Sequence, residues 1–328
     1  MSLADMKVTR PVASAKRQQR LNVLRGLTLL LLLVLLWVLL SFATPTFLTS
    51  ANITNLMRQA ALGAIIAVGQ TFVIITGGID LSVGAIVGLS STVVSILLKS
   101  GLPVWTAVAL TMALGPIIGA FHAFGILKMG LPPFIMTLAT LTGLRGVGLL
   151  LTNGQTITGL PPEFVDFSRQ SFLALPILFW MMVIVGIPAY LLLHHTVWGR
   201  YVYAVGSNAE AARLSGVSIS KTIYLVYITS ATCATFAGVL TASRIGVGVA
   251  TTGEGWELES IAAAVIGGAS LFGAIGNISG PLLGSVLLTT IGNGANLLNV
   301  NPFWQRIITG ALIILIVWFD QMRRSNRR

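Results

Sequence analysis

The sequence has few charged residues: they make up 9% of 328 positions, whereas soluble domains ordinarily carry about 25%. Apolar residues reach 55% and the mean hydropathy is +0.89, which excludes a soluble globular protein. Only nine residues are acidic against twenty Lys and Arg, and the net charge is +11. The positive excess lies in the two tails and one central loop, beside apolar segments, which indicates membrane topology and not nucleic-acid binding. The composition therefore predicts an all-α polytopic membrane protein.

Cysteine and histidine are also scarce. The single Cys233 permits no internal disulfide, and a free cysteine is commonly a small buried apolar side chain. His122, His194 and His195 lack the spacing of metal ligands, and nothing resembles a nucleophile with its base. The chain also lacks a G-x-x-x-x-G-K-[ST] run, so any ATP hydrolysis must come from another polypeptide. We therefore expect no catalytic residue, no metal and no cofactor in this chain.

Long apolar segments occupy most of the chain. A membrane-spanning helix needs about 20 apolar residues, and about ten segments approach that length. The first follows a basic stretch and resembles a secretory signal, but its apolar run is too long for one, so a retained helix is favoured. The weak points are the short segment 257–272 and the boundary at 76–82. The predicted spans are 24–43, 55–76, 82–98, 104–127, 132–152, 173–194, 221–243, 257–272, 280–299 and 303–320.

The distribution of Lys and Arg predicts the orientation. Both tails, 1–23 and 321–328, are basic, and positively charged segments tend to stay in the cytoplasm. Ten spans between them form a single transmembrane domain, 24–320, with both termini inside. The 195–220 loop then lies inside and the 153–172 loop outside.

The run TGGIDLSVG at 76–84 places a rare acid between two apolar segments. Gly77 and Gly78 can end a helix, and Asp80 or Ser82 can cap the next one by accepting its free amide protons. One interpretation is a tight hairpin at the cytoplasmic face. The other is a broken helix in which Asp80 faces a polar cavity, because a charge near mid-membrane costs about 2.5 to 3.5 kcal/mol and needs a partner or water. Gly84 closes the motif.

A family resemblance is carried by several motifs in order. The run AVGQTFVIITGGIDLSVG (67–84) resembles the signature of permease subunits of ribose-, xylose- and arabinose-type ABC importers. Further matches are LRG (144–146), GRYVYAVG (199–206), NAEAARLSG (208–216) and GWELESIAAAVIGG (255–268). Two positions depart from the family pattern: Ser207 stands where relatives often have a second glycine, and GAIG at 273–276 replaces the more usual Gly-Gly-x-Gly. Either change is expected to alter local helix packing.

The resemblance implies a fold, a function and partners. The fold is that of a type II ABC importer permease. The function is passage of a monosaccharide, a pentose or hexose, by alternating access across the bacterial cytoplasmic (inner) membrane. The partners are a second copy of the chain, a cytoplasmic tandem ABC ATPase that hydrolyses ATP with Mg²⁺, and an extracytoplasmic sugar-binding protein. Alternatives are a nucleoside, polyol or furanosyl signalling molecule as cargo, or a self-sufficient secondary transporter or channel.

The loop 195–220 contains a candidate docking helix for the ATPase. Asn208 is a plausible N-cap, Glu210 lies in the first turn and Gly216 is a stop signal. Such a helix is too short to be stable alone, so it must pack on something. By resemblance it is the coupling helix, seated in a groove of the ATPase. Its predicted residues are Asn208, Glu210, Ala212, Arg213, Leu214 and Gly216.

Three further groups of polar residues lie in or near apolar segments. Arg145 either extends to the membrane surface or forms a buried ion pair, with Asp80 as the candidate partner. Polar helix faces give a candidate translocation path, although each member can equally bridge helices through hydrogen bonds. The path candidates are Gln70, Thr71, Phe72, Asn293 and Asn296.

A charged cluster is predicted at the outer ends of two spans. By resemblance this outer rim meets the binding protein. The alternative is that Glu257 and Glu259 complement the positive amino end of their own helix. The rim residues are Arg244, Glu254, Glu257 and Glu259.

Overall fold

A computed structural model describes residues 12–301 and a set of positions between 303 and 322. The first residues of the basic amino-terminal tail and the end of the carboxyl-terminal tail lie outside the described residues, as does much of the predicted span 303–320. The predicted first span at 24–43 is part of a longer helix that begins at Val12.

Helices dominate the described chain. One short β-hairpin accompanies them, with Ser171 paired to Pro176 and Phe172 to Leu175. The strands are β1 (Ser171–Phe172) and β2 (Leu175–Pro176). The helices are α1 (Val12–Ala43), α2 (Ser50–Ile75), α3 (Val83–Lys99), α4 (Val104–Met112), α5 (Leu114–Leu127), α6 (Pro133–Thr152), α7 (Pro162–Arg169), α8 (Ile177–His195), α9 (Val197–Ser207), α10 (Ala209–Leu214), α11 (Ile219–Ile245), α12 (Trp256–Ile266) and α13 (Ser279–Leu297).

Five segments of the described chain are long and apolar enough to cross a membrane: α2, α4 continued by α5, α6, α8 and α11. The stretch 27–43 of α1 and all of α3 are shorter apolar helices. These segments confirm a helical polytopic membrane protein. The number of ten spans and the orientation of the termini stay predictions.

Helices α2 and α11 form the centre of the bundle and run antiparallel. Near the start of α2, Asn55 accepts a hydrogen bond of 2.8 Å from Arg244 at the end of α11. Further along, Gly69, the twentieth of the 26 residues of α2, lies directly against Ser230 near the middle of α11. Helix α13 lies beside α2, where Asn52 and Asn293 exchange two amide hydrogen bonds of 3.0 and 2.7 Å.

The two ends of the bundle have different structures. At one end, Arg58 near the start of α2 donates to the Arg169 carbonyl at the end of α7, close to the β-hairpin. We call this the hairpin end. At the opposite end, α9 and α10 connect α8 to α11. We call this the α10 end.

The connection between α2 and α3 turns back into the bundle. Helix α2 ends at Ile75, and Gly77 has the positive φ of +81° that the reversal requires. Segment 78–82 then runs back beside the last turns of α2, where the Gln70 amide accepts from the Asp80 N–H at 3.2 Å and donates to the Asp80 carbonyl at 3.1 Å. Asp80 also contacts Ser230, eleven residues into the 27 of α11. Helix α3 therefore begins inside the bundle and not at its end.

The chain after α11 also re-enters the bundle. Segment 246–255 runs antiparallel to α3: Gly248 lies against Ser95, the Ala250 carbonyl lies beside Gly88, and the Gly253 carbonyl lies beside Gly84. Helix α12 consequently starts near the middle of α11. It has 11 residues, or about 16 Å at 1.5 Å per residue, and it ends at Ile266. The bounds predicted for this span, 257–272, are therefore wrong: the chain after Ile266 is irregular, and α12 crosses only half of the bundle, while segment 246–255 runs through the other half.

Candidate functional site

Asp80 is fully buried and its two carboxylate oxygens accept hydrogen bonds from the chain around it. Oδ1 accepts from the Ser82 N–H at 3.0 Å and from the Ser82 hydroxyl at 2.6 Å. Oδ2 accepts from the Ser230 hydroxyl at 2.8 Å. The hairpin at the membrane surface is the wrong interpretation of this motif. Asp80 instead holds the interrupted segment against α11 from within the bundle.

The prediction that Asp80 or Ser82 caps α3 is wrong, because no side chain makes a capping hydrogen bond to this helix. Asp80 binds the amide of the residue that immediately precedes α3, while the Ser82 side chain makes no capping hydrogen bond. The reason is competition: the Ser82 hydroxyl donates to Asp80, so it points away from the first turn of α3. The two glycines and Asp80 thus work as one turn that re-enters the bundle.

Two other buried polar side chains lie near this carboxylate. Tyr227 and His122 are at most 1% exposed, and their rings contact edge to face at 5.9 Å between centroids. Among the described residues, neither the Tyr227 hydroxyl nor the His122 nitrogens have a hydrogen-bond partner. The interruption is therefore surrounded by polar groups from α5 and α11 as well as by its own Ser82.

The predicted path residues on α2 lie in contact with other parts of the chain. Gln70, Thr71 and Phe72 are all 0% exposed. Gln70 bonds the backbone of Asp80, Thr71 donates to the Ala67 carbonyl at 2.6 Å, and Phe72 packs on Trp198 at 5.2 Å between ring centroids. These contacts join helices and segments, which is the alternative role foreseen for such residues. A role in lining the path stays a prediction.

The two asparagines predicted for the path lie on α13, away from the Asp80 network. Asn293 is 9% exposed and exchanges amide hydrogen bonds with Asn52 of α2. Asn296 lies one turn closer to the hairpin end and also has an interaction partner. The structure therefore does not bring the five candidates together at one surface.

The four residues predicted for the outer rim are separated in the structure. Arg244 lies at the hairpin end and contacts Asn55. Glu257 is in the first turn of α12, where Oε1 accepts from the Gly255 N–H at 3.2 Å and Oε2 lies directly beside Gly84. Asp80 contacts Ser230 and Val87 contacts Gly238, so Gly84, which lies between them in sequence, is level with the middle of α11. Glu257 lies at the same level. Glu254 and Glu259 are close to Glu257 in sequence. The three glutamates therefore lie nearer the middle of the bundle than Arg244, which is at the hairpin end.

Arg145 stabilises the re-entrant segment 246–255. Its guanidinium donates to the carbonyls of Ala250 at 2.7 Å and Thr252 at 3.1 Å. Irregular backbone at membrane depth requires such partners because no water is available there. The predicted ion pair with Asp80 is wrong, because in the described residues no ion pair joins Arg145 to Asp80. Arg145 is partly exposed, and its extension to the membrane surface stays a prediction.

The short helix predicted within 209–216 is confirmed as α10, Ala209–Leu214. The Asn208 side chain accepts from the Ala211 N–H at 2.9 Å, as expected of an N-cap, and Gly216 has φ +83° just past the helix end. Glu210 and Arg213 form a two-bond salt bridge along the helix, at 2.5 and 3.0 Å, and both side chains are exposed. The Arg213 guanidinium lowers the pKa of Glu210, so the pair is fully charged at neutral pH.

One face of α10 packs inward and the other is free. Ala212 is 5% exposed, whereas Leu214 is 74% exposed. An exposed leucine beside a charged pair on a rigidly capped helix is a surface suited to a protein partner.

A departure from the family pattern coincides with backbone strain. Ala274, which stands where relatives more usually have glycine, has φ +62°, and its N–H donates to the Ile75 carbonyl at 2.8 Å. The left-handed conformation costs a residue with a Cβ roughly 1–2 kcal/mol.

We expect Ala274→Gly to raise the free energy of unfolding by about 1 kcal/mol, measured by thermal unfolding in detergent. Ala51→Gly, at an exposed helical position of α2, is the control and should destabilise; equal losses in the two variants would contradict the assignment of strain.

Three contacts of the site were not predicted from the sequence. Ser230 lies in an apolar span and carried no signal that it binds Asp80. The carbonyls of Ala250 and Thr252 are backbone atoms, which a sequence does not distinguish. The stretch 246–255 contains four glycines and two threonines among its ten residues, and that composition was the available signal for an irregular segment.

A helical bundle interrupted twice at mid-depth, with a rigid short helix exposed at one end, is the architecture of a membrane permease. The sequence matches the model of one family over residues 52–317, and that family is described as the branched-chain amino acid transport system permease component. The chain belongs to this family. The resemblance to permease subunits of sugar importers, inferred from the motifs, is confirmed by the relatives.

Several curated relatives match the chain over nearly its full length. The ribose import permease protein RbsC of Bacillus subtilis is 39% identical over 322 residues, covering 98% of this chain and 100% of the relative. RbsC of Escherichia coli K12 is 38% identical and covers 90% and 93%. The D-allose transport system permease protein AlsC of E. coli K12 is 34% identical and covers 90% and 91%. No solved structure gives a significant match.

Proposed function

We propose that this chain is the translocation subunit of an ATP-driven importer and that its cargo is a monosaccharide, a pentose or hexose. The observation that carries the cargo class is that full-length relatives named for ribose and for allose match it at 34–39% identity. Both names denote monosaccharides, so one sugar class is shared although the individual sugars differ. The chain carries no enzymatic activity of its own in this scheme.

The energy for transport comes from a separate subunit. The full sequence has no P-loop motif, and such a motif is what holds ATP phosphates in this class of ATPase. We therefore assign ATP and Mg²⁺ to a cytoplasmic tandem ATPase, with no cofactor bound by this chain. Helix α10, with exposed Leu214 and the Glu210–Arg213 pair, is the proposed docking surface.

Docking at α10 fixes the proposed orientation in the bacterial cytoplasmic membrane. The α10 end is then cytoplasmic, and the hairpin end faces the extracytoplasmic sugar-binding protein. A second copy of the chain completes the channel. The two interruptions, at Asp80 and at 246–255, lie between these ends, where a path that opens alternately to each side must close.

Charge reversal on α10 tests the docking surface. The double variant Glu210→Lys with Arg213→Glu keeps an i, i+3 salt bridge within the helix and inverts the charges presented to a partner. We expect the tagged double variant, purified from its native membranes, to lose the co-purifying ATPase that the wild-type chain retains. The measurement is mass spectrometry of the retained proteins after trapping with ATP and vanadate.

A matched control separates docking from folding. Asp166 and Arg169 form a similar exposed i, i+3 pair on α7, at the hairpin end. Their exchange, Asp166→Arg with Arg169→Asp, should leave the ATPase bound. Retention of the ATPase by the α10 variant, or its equal loss from both variants, would contradict docking at α10.

A further inference from the structure

The motif GRYVYAVG at 199–206 forms most of α9, and docking at α10 does not explain it. Helix α9 ends at Ser207, and α10 begins two residues later at Ala209. Only Asn208, the N-cap of α10, separates the two helices. Any displacement of α10 is therefore passed to α9 almost without an intervening loop.

Tyr203 joins α9 to the irregular segment that follows α12. Its hydroxyl donates to the Gly276 carbonyl at 2.8 Å across 73 residues of sequence. Burial raises the pKa of Tyr203 to about 12, so the hydroxyl remains a protonated donor at every pH at which the protein is studied. The tyrosine ring packs with Phe72 and Ile278 in one apolar cluster.

Gly206 brings α9 into contact with the end of α2. A Cβ at this position would overlap the Ile75 carbonyl and lie 2.9 Å from the Ala274 N–H nitrogen. Ile75 is the last residue of α2, and its carbonyl accepts from Ala274. The backbones of α9, α2 and segment 267–278 therefore meet at one carbonyl oxygen.

Both segments that meet α9 lead directly to an interruption of the bundle. The chain reaches Asp80 five residues beyond Ile75 and the start of α3, Val83, eight residues beyond it. Segment 267–278 is the continuation of α12, whose first turn holds Glu257 beside Gly84. In addition, Gly267 at the end of α12 lies in backbone contact with Gly280 of α13. Helix α9 thus contacts both interrupted elements, each at its end nearest α10.

We infer that α9 transmits the movement of α10 to both interruptions and that Tyr203 is the positioning residue that couples it to α12. This inference rests on the proposed docking of an ATPase at α10. In this role the Tyr203–Gly276 hydrogen bond contributes to how much sugar moves for each ATP, not to whether the ATPase binds.

The test is Tyr203→Phe, which removes one oxygen atom and keeps the ring. The complex of the variant with its co-purified ATPase is reconstituted with the sugar-binding protein, and ribose uptake and phosphate release are measured on the same vesicles. We expect the ribose transported per ATP to fall about two- to tenfold, the range for a single neutral hydrogen bond. The amount of ATPase bound per permease should equal that of wild type.

Tyr201→Phe is the matched control. Tyr201 lies two residues earlier on the same helix and is 38% exposed, so the same chemical change should leave the ribose transported per ATP at the wild-type value. If Tyr203→Phe is recovered in low yield, both variants are compared in the background of Gly143→Ala, a position in α6 where an added Cβ meets no atom within 4 Å.

The outcomes separate the inference from the function on which it rests. A wild-type ratio of ribose to ATP in Tyr203→Phe, or an equal fall in Tyr201→Phe, overturns the positioning role and leaves the importer intact. Absence of any ATPase from the wild-type preparation overturns the proposed function, and the inference with it.

Discussion

Asp80→Ala is expected to lower the free energy of unfolding by about 3–5 kcal/mol. The substitution leaves three buried donors without their acceptor: the Ser82 N–H, the Ser82 hydroxyl and the Ser230 hydroxyl. It also releases segment 78–82 from α11, so the start of α3 loses its position in the bundle. Thermal unfolding in detergent, with sugar uptake in cells as a second measurement, detects both losses.

Asp80→Asn is the matched variant. Its carbonyl oxygen can still accept both bonds from Ser82, and its amide can donate to the Ser230 hydroxyl, so the geometry is kept without the charge. We expect a loss of about 1 kcal/mol, well below that of Asp80→Ala. If Asp80→Asn is as destabilised as Asp80→Ala, the charge and not the hydrogen bonding is what the site requires. That result would contradict the structural role and favour an ion-coupling role for Asp80.

Gly206→Ala is expected to cost about 3 kcal/mol and to abolish transport. The added methyl group overlaps the Ile75 carbonyl, and both neighbours are backbone atoms that cannot rotate away as a side chain can. Helix α9 must therefore separate from the end of α2, which removes the contact through which α9 reaches the interruption at Asp80. Uptake of ribose in cells and thermal unfolding in detergent measure the two effects.

The control for this substitution is Gly143→Ala. Gly143 lies within α6, and a Cβ there meets no atom within 4 Å. Alanine is favoured over glycine in a helix by roughly 0.5–1 kcal/mol, so this variant should be stabilised. Similar effects of the two substitutions, in sign and size, would contradict the close approach of α9 to Ile75.

Local features were predictable because their signals are local. The turn at Gly77 and Gly78 and the cap of α10 by Asn208 both follow from residue types a few positions apart. The class of protein was equally accessible, because composition alone excludes a soluble domain.

Depth within the bundle was not predictable. Whether Asp80 lies at a surface or inside depends on which residue of α11 faces it, and Ser230 stands 150 positions away. The segment 257–272 is apolar over most of its length after Glu257 and Glu259 and resembles a span, yet α12 stops at Ile266 because Gly268, with φ +98°, turns the chain. The re-entry of 246–255 then moves Glu257 from the predicted outer rim to mid-bundle, with Arg145 bound to the same segment.

The most direct test of the account is ATP-dependent sugar uptake by a defined complex. The chain is reconstituted into proteoliposomes with its co-purified ATPase, and radiolabelled ribose, allose and xylose are offered with the sugar-binding protein on the side of the hairpin end. The account predicts that at least one sugar accumulates only when the chain, the ATPase, the binding protein and ATP are all present. Movement of sugar by the chain alone, without ATP, would contradict it.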